Sequence, residues 1–128
     1  MTKRVLDVGQ CAPDHATIRG YLTRHFDCEV VQTHGPADTI EQLKNGTFDL
    51  VLVNRKLDQD YSDGIDVIRA IRAEPAAGDV PVMLITNYPE HQDTAEAAGA
   101  VRGFGKLEFE DQETREKLAA VLGNSSPT

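Results

Sequence analysis

Basic charge, cysteine and long apolar runs are all in short supply in this chain. Thirteen Lys and Arg stand against 21 Asp and Glu, a formal net charge of −8. Non-specific nucleic-acid binders hold phosphates with clustered Lys and Arg, so that class is excluded and an anionic membrane surface is disfavoured. The two cysteines, Cys11 and Cys28, form no CxxC pair. They are expected to be reduced, buried small side chains rather than a disulfide or metal ligands. No segment approaches the ~20 apolar residues of a membrane span, and residues 1–9 lack the apolar core of a signal peptide. A cytoplasmic protein without membrane attachment is the expectation.

What is present suits a folded domain. With 40% hydrophobic and 27% charged residues, one domain is expected over 1–122, hiding roughly two-thirds of its unfolded surface. Residues 123–128, GNSSPT, read as a flexible tail or the start of a linker. Apolar runs at Arg4–Val8, Cys28–Gln32, Phe48–Val53, Val80–Thr86 and Ala100–Lys106 alternate with helix-patterned segments. Pro13 opens the first helix, with Ile18 and Leu22 on one face. Pro36 opens the second, through Ile40 and Leu43 to Asn45-Gly46. Ile65, Ile68 and Ile71 line the third before Glu74-Pro75. Pro89 starts an alanine-rich fourth that Gly99 ends, and Leu118, Val121 and Leu122 line the last, from about Glu110. Strict alternation of this kind predicts an α/β, doubly wound parallel sheet of about five strands with helices on both faces. Sites in such sheets lie at the carboxyl ends of the strands. Here those ends are Gly9-Gln10, Asn54, Thr86-Asn87 and Lys106.

Phe48 to Asn54, then Asp63-Gly64-Ile65, Val80 to Thr86, Ala98-Gly99-Ala100 and Lys106 together resemble the receiver domain of bacterial two-component response regulators. The likeness runs from Lys3 to about Leu122. It implies a flavodoxin-like sheet of order 2-1-3-4-5 and a module that accepts a phosphoryl group on an aspartate ending the third strand. It also implies an acidic pair after the first strand to help hold Mg²⁺, and a hydroxyl and a lysine ending the fourth and fifth strands to grip the phosphoryl oxygens. A hard cation with oxygen ligands is needed there because charge builds on the transferring group. In this sequence the phospho-acceptor position falls on Asn54 and the acidic pair on Gly9 and Gln10. Thr86 and Lys106 keep the hydroxyl and the lysine. The switch aromatic of the fifth strand falls on Gly103, and Leu107 stands where the family usually has proline. Losing three carboxylates forfeits several kcal/mol of attraction for a divalent ion even at an effective dielectric near 20.

The expectation is therefore a pseudo-receiver: no enzyme, no cofactor, no metal, and a phosphorylation-independent signalling module that binds a protein partner, with a homodimer as one form it can take. The expected partner surface is the fourth helix, fifth strand and fifth helix, with Glu90, His91, Gln92, Arg102 and Arg115 as exposed contacts. Two rivals stay open: a phospho-accepting receiver with an altered site, and an anion or small-molecule sensor using Lys106 and Thr86. Lys106 is otherwise expected to donate to the Asn54 side-chain oxygen or to a loop carbonyl. Asp7, an acid in a strand, must be paired or partly exposed. Asp14 suits a helix N-terminus. No nucleophile motif accompanies His15, and Cys11 beside the site is a weak redox candidate. His15, His25, His34 and His91 have no metal-ligand spacing. The acidic loop 55–64, about two residues longer than the family's, is expected to be solvated rather than a relocated metal site.

Overall fold

The computed structural model describes residues 2–123. Five strands, β1 (Lys3–Val8), β2 (Cys28–Thr33), β3 (Leu50–Asn54), β4 (Val82–Ile85) and β5 (Val101–Phe104), form one parallel sheet in the order β2-β1-β3-β4-β5. They alternate with α1 (Ala12–His25), α2 (Pro36–Asn45), α3 (Gly64–Ala73), α4 (Pro89–Ala97) and α5 (Gln112–Leu122). The doubly wound sheet predicted from the sequence is the one observed. The expected tail, apart from Gly123, lies outside the described residues. None of the described helices is long and apolar enough to cross a membrane.

The helix punctuation works as the sequence indicates. Prolines sit in the first turns of α1, α2 and α4, where a missing N–H costs nothing. The Asp63 side chain caps α3 by accepting from Ile65 N at 3.0 Å. Asp38 reaches back from the first turn of α2 to accept from His34 N and Gly35 N, both at 2.8 Å. Alternate residues of each strand then feed two cores. Leu6, Val8, Val51, Val53 and Leu84 pack with Leu43, Ile65, Ile68, Ile71 and Ala95 beneath α2, α3 and α4. Val5, Leu50, Leu52, Ile85 and Phe104 pack with Ile18, Leu22, Leu118 and Leu122 beneath α1 and α5. Each fully buried Leu or Ile contributes roughly 1.5–3 kcal/mol.

One strand, β5, differs from expectation in its end and in its register. β5 stops at Phe104, so Lys106 opens a short 3-10 turn, Lys106–Glu108, outside the sheet. β5 also carries a register irregularity, because Met83 and Ile85 pair with Val101 and Phe104. One extra residue on β5 therefore has to leave the ladder.

Candidate functional site

The carboxyl ends of β1 and β3 are laced together by backbone and side chain. Asn54 Nδ2 donates to Gly9 O at 3.1 Å and to Lys56 O at 2.7 Å. Asp58 N also donates to Gly9 O, at 3.0 Å. Beneath this polar tie sits Leu57, 1% exposed, against the face of Gly9. Gly9 adopts φ +78°, and a Cβ there would run into Leu57 Cδ2. Backbone conformation and space thus both require glycine at this position. Asp58 then approaches His34 Nδ1 at 3.3 Å, which ties in the loop after β2. The loop 55–64 is folded back on itself by a bridge between Lys56 and Asp63 and by Leu57 N donating to Ser62 O.

A second polar group lies on the α1 and α5 side of the sheet. Asp7 is fully buried, and His15 Nδ1 lies 2.6 Å from its Oδ2. Burial pushes the Asp7 carboxyl up to about 6, against the lowering effects of His15 and the Lys106 charge. Gln10 is fully buried close by, near enough to favour the charged carboxylate. Even so, neither its amide atoms nor Asp7 Oδ1 reach hydrogen-bond geometry with any partner among the described residues. Lys106 Nζ donates to Asp14 Oδ2 at 2.6 Å, and that bond holds the Asp14 carboxyl below its usual value. The pair pins the turn after β5 to the first turn of α1.

The third group joins β4, α4 and β5. Thr86 is 7% exposed, and its Oγ1 shares a hydrogen bond of 3.2 Å with His91 Nδ1. Gln92 Nε2 donates to Leu84 O at 3.0 Å and Thr86 O at 3.2 Å, while its Oε1 accepts from Gly103 N at 2.8 Å. Gly103 belongs to the irregular stretch of β5, so its N–H has left the strand ladder and the carboxamide meets it instead. A Cβ at Gly103 would collide with Leu84 O and press on Met83. Close backbone approach explains this glycine.

Several expectations change. Gln92 is no surface contact: at 5% exposure it is a buried brace, because Gln92 and Ala95 share the inward face of α4. Lys106 does not reach Asn54, since it starts a turn that faces α1 and takes Asp14 there. Cys11 is exposed at the start of α1 rather than buried, while Cys28 is partly buried and its thiol is pushed up by desolvation. Asp7 is paired, as its strand position demanded, and not exposed. Glu90, Arg102 and Arg115 are at the surface and His91 is half-buried. Arg102 is held between Asp93 at 2.8 Å and Glu96 at 2.7 Å. Among the described residues no group of three or more His, Cys, Asp or Glu is arranged to hold a metal ion. Leu57 and the Asp14–Lys106 pair were missed from sequence. The three-residue spacing of Gln92 and Ala95 was the one signal that could have placed Gln92.

A family model of the response regulator receiver domain matches residues 11–117. Three solved structures have the same architecture. One is a putative response regulator from Chloroflexus aurantiacus, 18% identical over 95% of this chain and 98% of its own, with a TM-score of 0.81. Another is the Vibrio cholerae chemotaxis protein CheY4, 19% identical over 95% of this chain and 100% of its own, with a TM-score of 0.78. The third is the receiver domain of the sensor histidine kinase PA1611 from Pseudomonas aeruginosa, with a magnesium ion in its active-site cleft. It is 18% identical over 96% of this chain and 99% of its own, with a TM-score of 0.77. At such identities the likeness speaks for the fold.

Proposed function

Because the chain belongs to the response regulator receiver family, the receiver module of two-component signalling, we propose that it signals without phosphoryl transfer at the end of β3. It does so by presenting one standing surface to a protein partner. The observation that carries this is the Asn54 amide. Both hydrogens of Nδ2 are directed at carbonyl oxygens, a task that an acceptor-only carboxylate cannot perform. Asn54 is therefore suited to holding two loops together and unsuited to accepting a phosphoryl group.

The surroundings do not fit a divalent ion either. Gly9 has no side chain, and Leu57 occupies the space where one would go. The Gln10 carboxamide is uncharged. Asp7 is the nearest acid in sequence, but it is buried under α1 and engaged with His15. Hard cations need several oxygen ligands, preferably charged. An anion site on Lys106 and Thr86 fares little better, because Lys106 is paired with Asp14 and Thr86 with His91.

Receiver domains act with signalling partners such as kinases. For this chain the surface of α4, β5 and α5 is the proposed contact, with Glu90, Arg102 and Arg115 exposed on it. The Gln92 brace supports a fixed conformation there, since its amide ties β4, α4 and β5 together where Gly103 has no ring to move. The test is an amide NMR titration with Mg²⁺ and then beryllofluoride. Unmoved signals at Gly9, Asn54 and Lys106 are expected. Saturable shifts at those three positions would establish a working phosphoryl site and overturn the proposal.

A further inference from the structure

A cleft of about 150 Å³ opens between α3 and α4, next to the strand ends, with neither Asn54 nor Lys106 in its lining. Its floor is Ile65 and Leu84, both buried. Half-buried Arg55 and His91 line its sides, and exposed Asp63 and Thr94 complete it. That volume well exceeds the ~10–15 Å³ that one water needs. The arrangement combines an apolar base with a few convergent polar groups, the usual make-up of a small-ligand site.

Arg55 is the residue with no task. Its backbone carbonyl accepts from Gly64 N, but among the described residues its guanidinium takes no hydrogen bond or ion pair. On a chain of net charge −8 an unpaired, half-buried guanidinium is conspicuous. The other lining groups are already committed in part. The Asp63 carboxylate caps α3 through Ile65 N, His91 Nδ1 bonds Thr86, and the Thr94 hydroxyl donates to Glu90 O. What remains among the lining groups is a guanidinium with five unused donors near an apolar floor, in the same cleft as the Asp63 carboxylate, whose charge the cap bond does not neutralise.

We propose that this cleft binds a small organic carboxylate, its anionic end on Arg55 beside His91 and its short apolar body on Ile65 and Leu84. Guanidinium meets carboxylate in a planar, two-bonded geometry, so Arg suits this ligand better than a spherical anion. Occupancy would reach the proposed partner surface through His91, Thr86 and the Gln92 carboxamide to Gly103. Only that coupling rests on the proposed function; the cleft itself does not.

The experiment is an NMR titration of the full chain with sodium propionate and, separately, inorganic phosphate, each against sodium chloride of equal ionic strength. Saturable propionate shifts are expected at the Ile65 and Leu84 methyls and the Arg55 and His91 side chains, with Gly103 N–H moving in step. Arg55→Gln should weaken propionate about tenfold or more, the worth of a charge-assisted contact. The variant should fold normally, because only the unbonded side chain changes. Shifts that fail to saturate, that survive Arg55→Gln, or that centre on Lys106 would overturn the proposal. So would phosphate binding tighter than propionate. A silent beryllofluoride titration beside a silent cleft would leave the proposed function intact and remove this inference alone.

Discussion

Asn54→Asp removes the donor of two hydrogen bonds made at a single atom. In the native chain Nδ2 donates to Gly9 O at 3.1 Å and Lys56 O at 2.7 Å. The substitution puts a carboxylate oxygen against both carbonyls. Two lost hydrogen bonds amount to about 1–3 kcal/mol net, and charge facing carbonyl dipoles adds to that. Gly9 O keeps its bond from Asp58 N, which limits the damage on that side. A loss of about 2–3 kcal/mol at pH 7.5 is expected, or a fall in Tm of roughly 10 °C for a domain of this size. Asn54→Ala supplies the control, since it removes the donors without adding charge, and it should cost less. Acid separates the two effects. The new carboxyl has a raised folded-state pKa, so its penalty is full at neutral pH and fades as pH falls through that value. Urea unfolding of all three proteins at pH 7.5 and pH 4.5 measures both. Wild-type stability for Asn54→Asp at pH 7.5 would refute the structural role given to this amide.

Two further outcomes follow from buried polar groups. Gln92→Leu keeps the volume but removes three hydrogen bonds and leaves Gly103 N without its side-chain partner, so about 2–4 kcal/mol should be lost. Hydrogen exchange at Gly103 should quicken more than at Leu6, and equal protection in both proteins would count against the brace. Asp7 predicts the pH dependence. Its folded carboxyl is raised from 3.8 to about 6, so the folded state holds the proton more tightly. Its contribution to stability is fullest below about pH 4 and is lost as pH rises toward 6, a swing of about 3 kcal/mol. Stability relative to Asp7→Asn should therefore climb as pH falls from 7 to 4; a flat difference would show that burial does not perturb this acid.

Periodicity and punctuation are local properties, so the alternation of strands and helices, and with it the sheet, is legible from the order of the residues alone. Phe48 to Val53 and Ile65-x-x-Ile68-x-x-Ile71 are legible without any neighbour. That order also determines which side chains could stand at the strand ends, since an aligned position carries its residue type wherever the loops run. What those side chains touch depends on how distant segments pack. Lys106 and Asp14 are 92 residues apart, and only the crossing of the last turn over α1 makes them a pair. Leu57 looked like one apolar residue in a solvated loop until the loop folded over Gly9. Gln92 looked like surface because amides usually are, yet the irregularity in β5 frees an N–H that has to be met inside. Polar partners of this kind are chosen by geometry between distant segments, and the cost of leaving a buried group unmet enforces the choice.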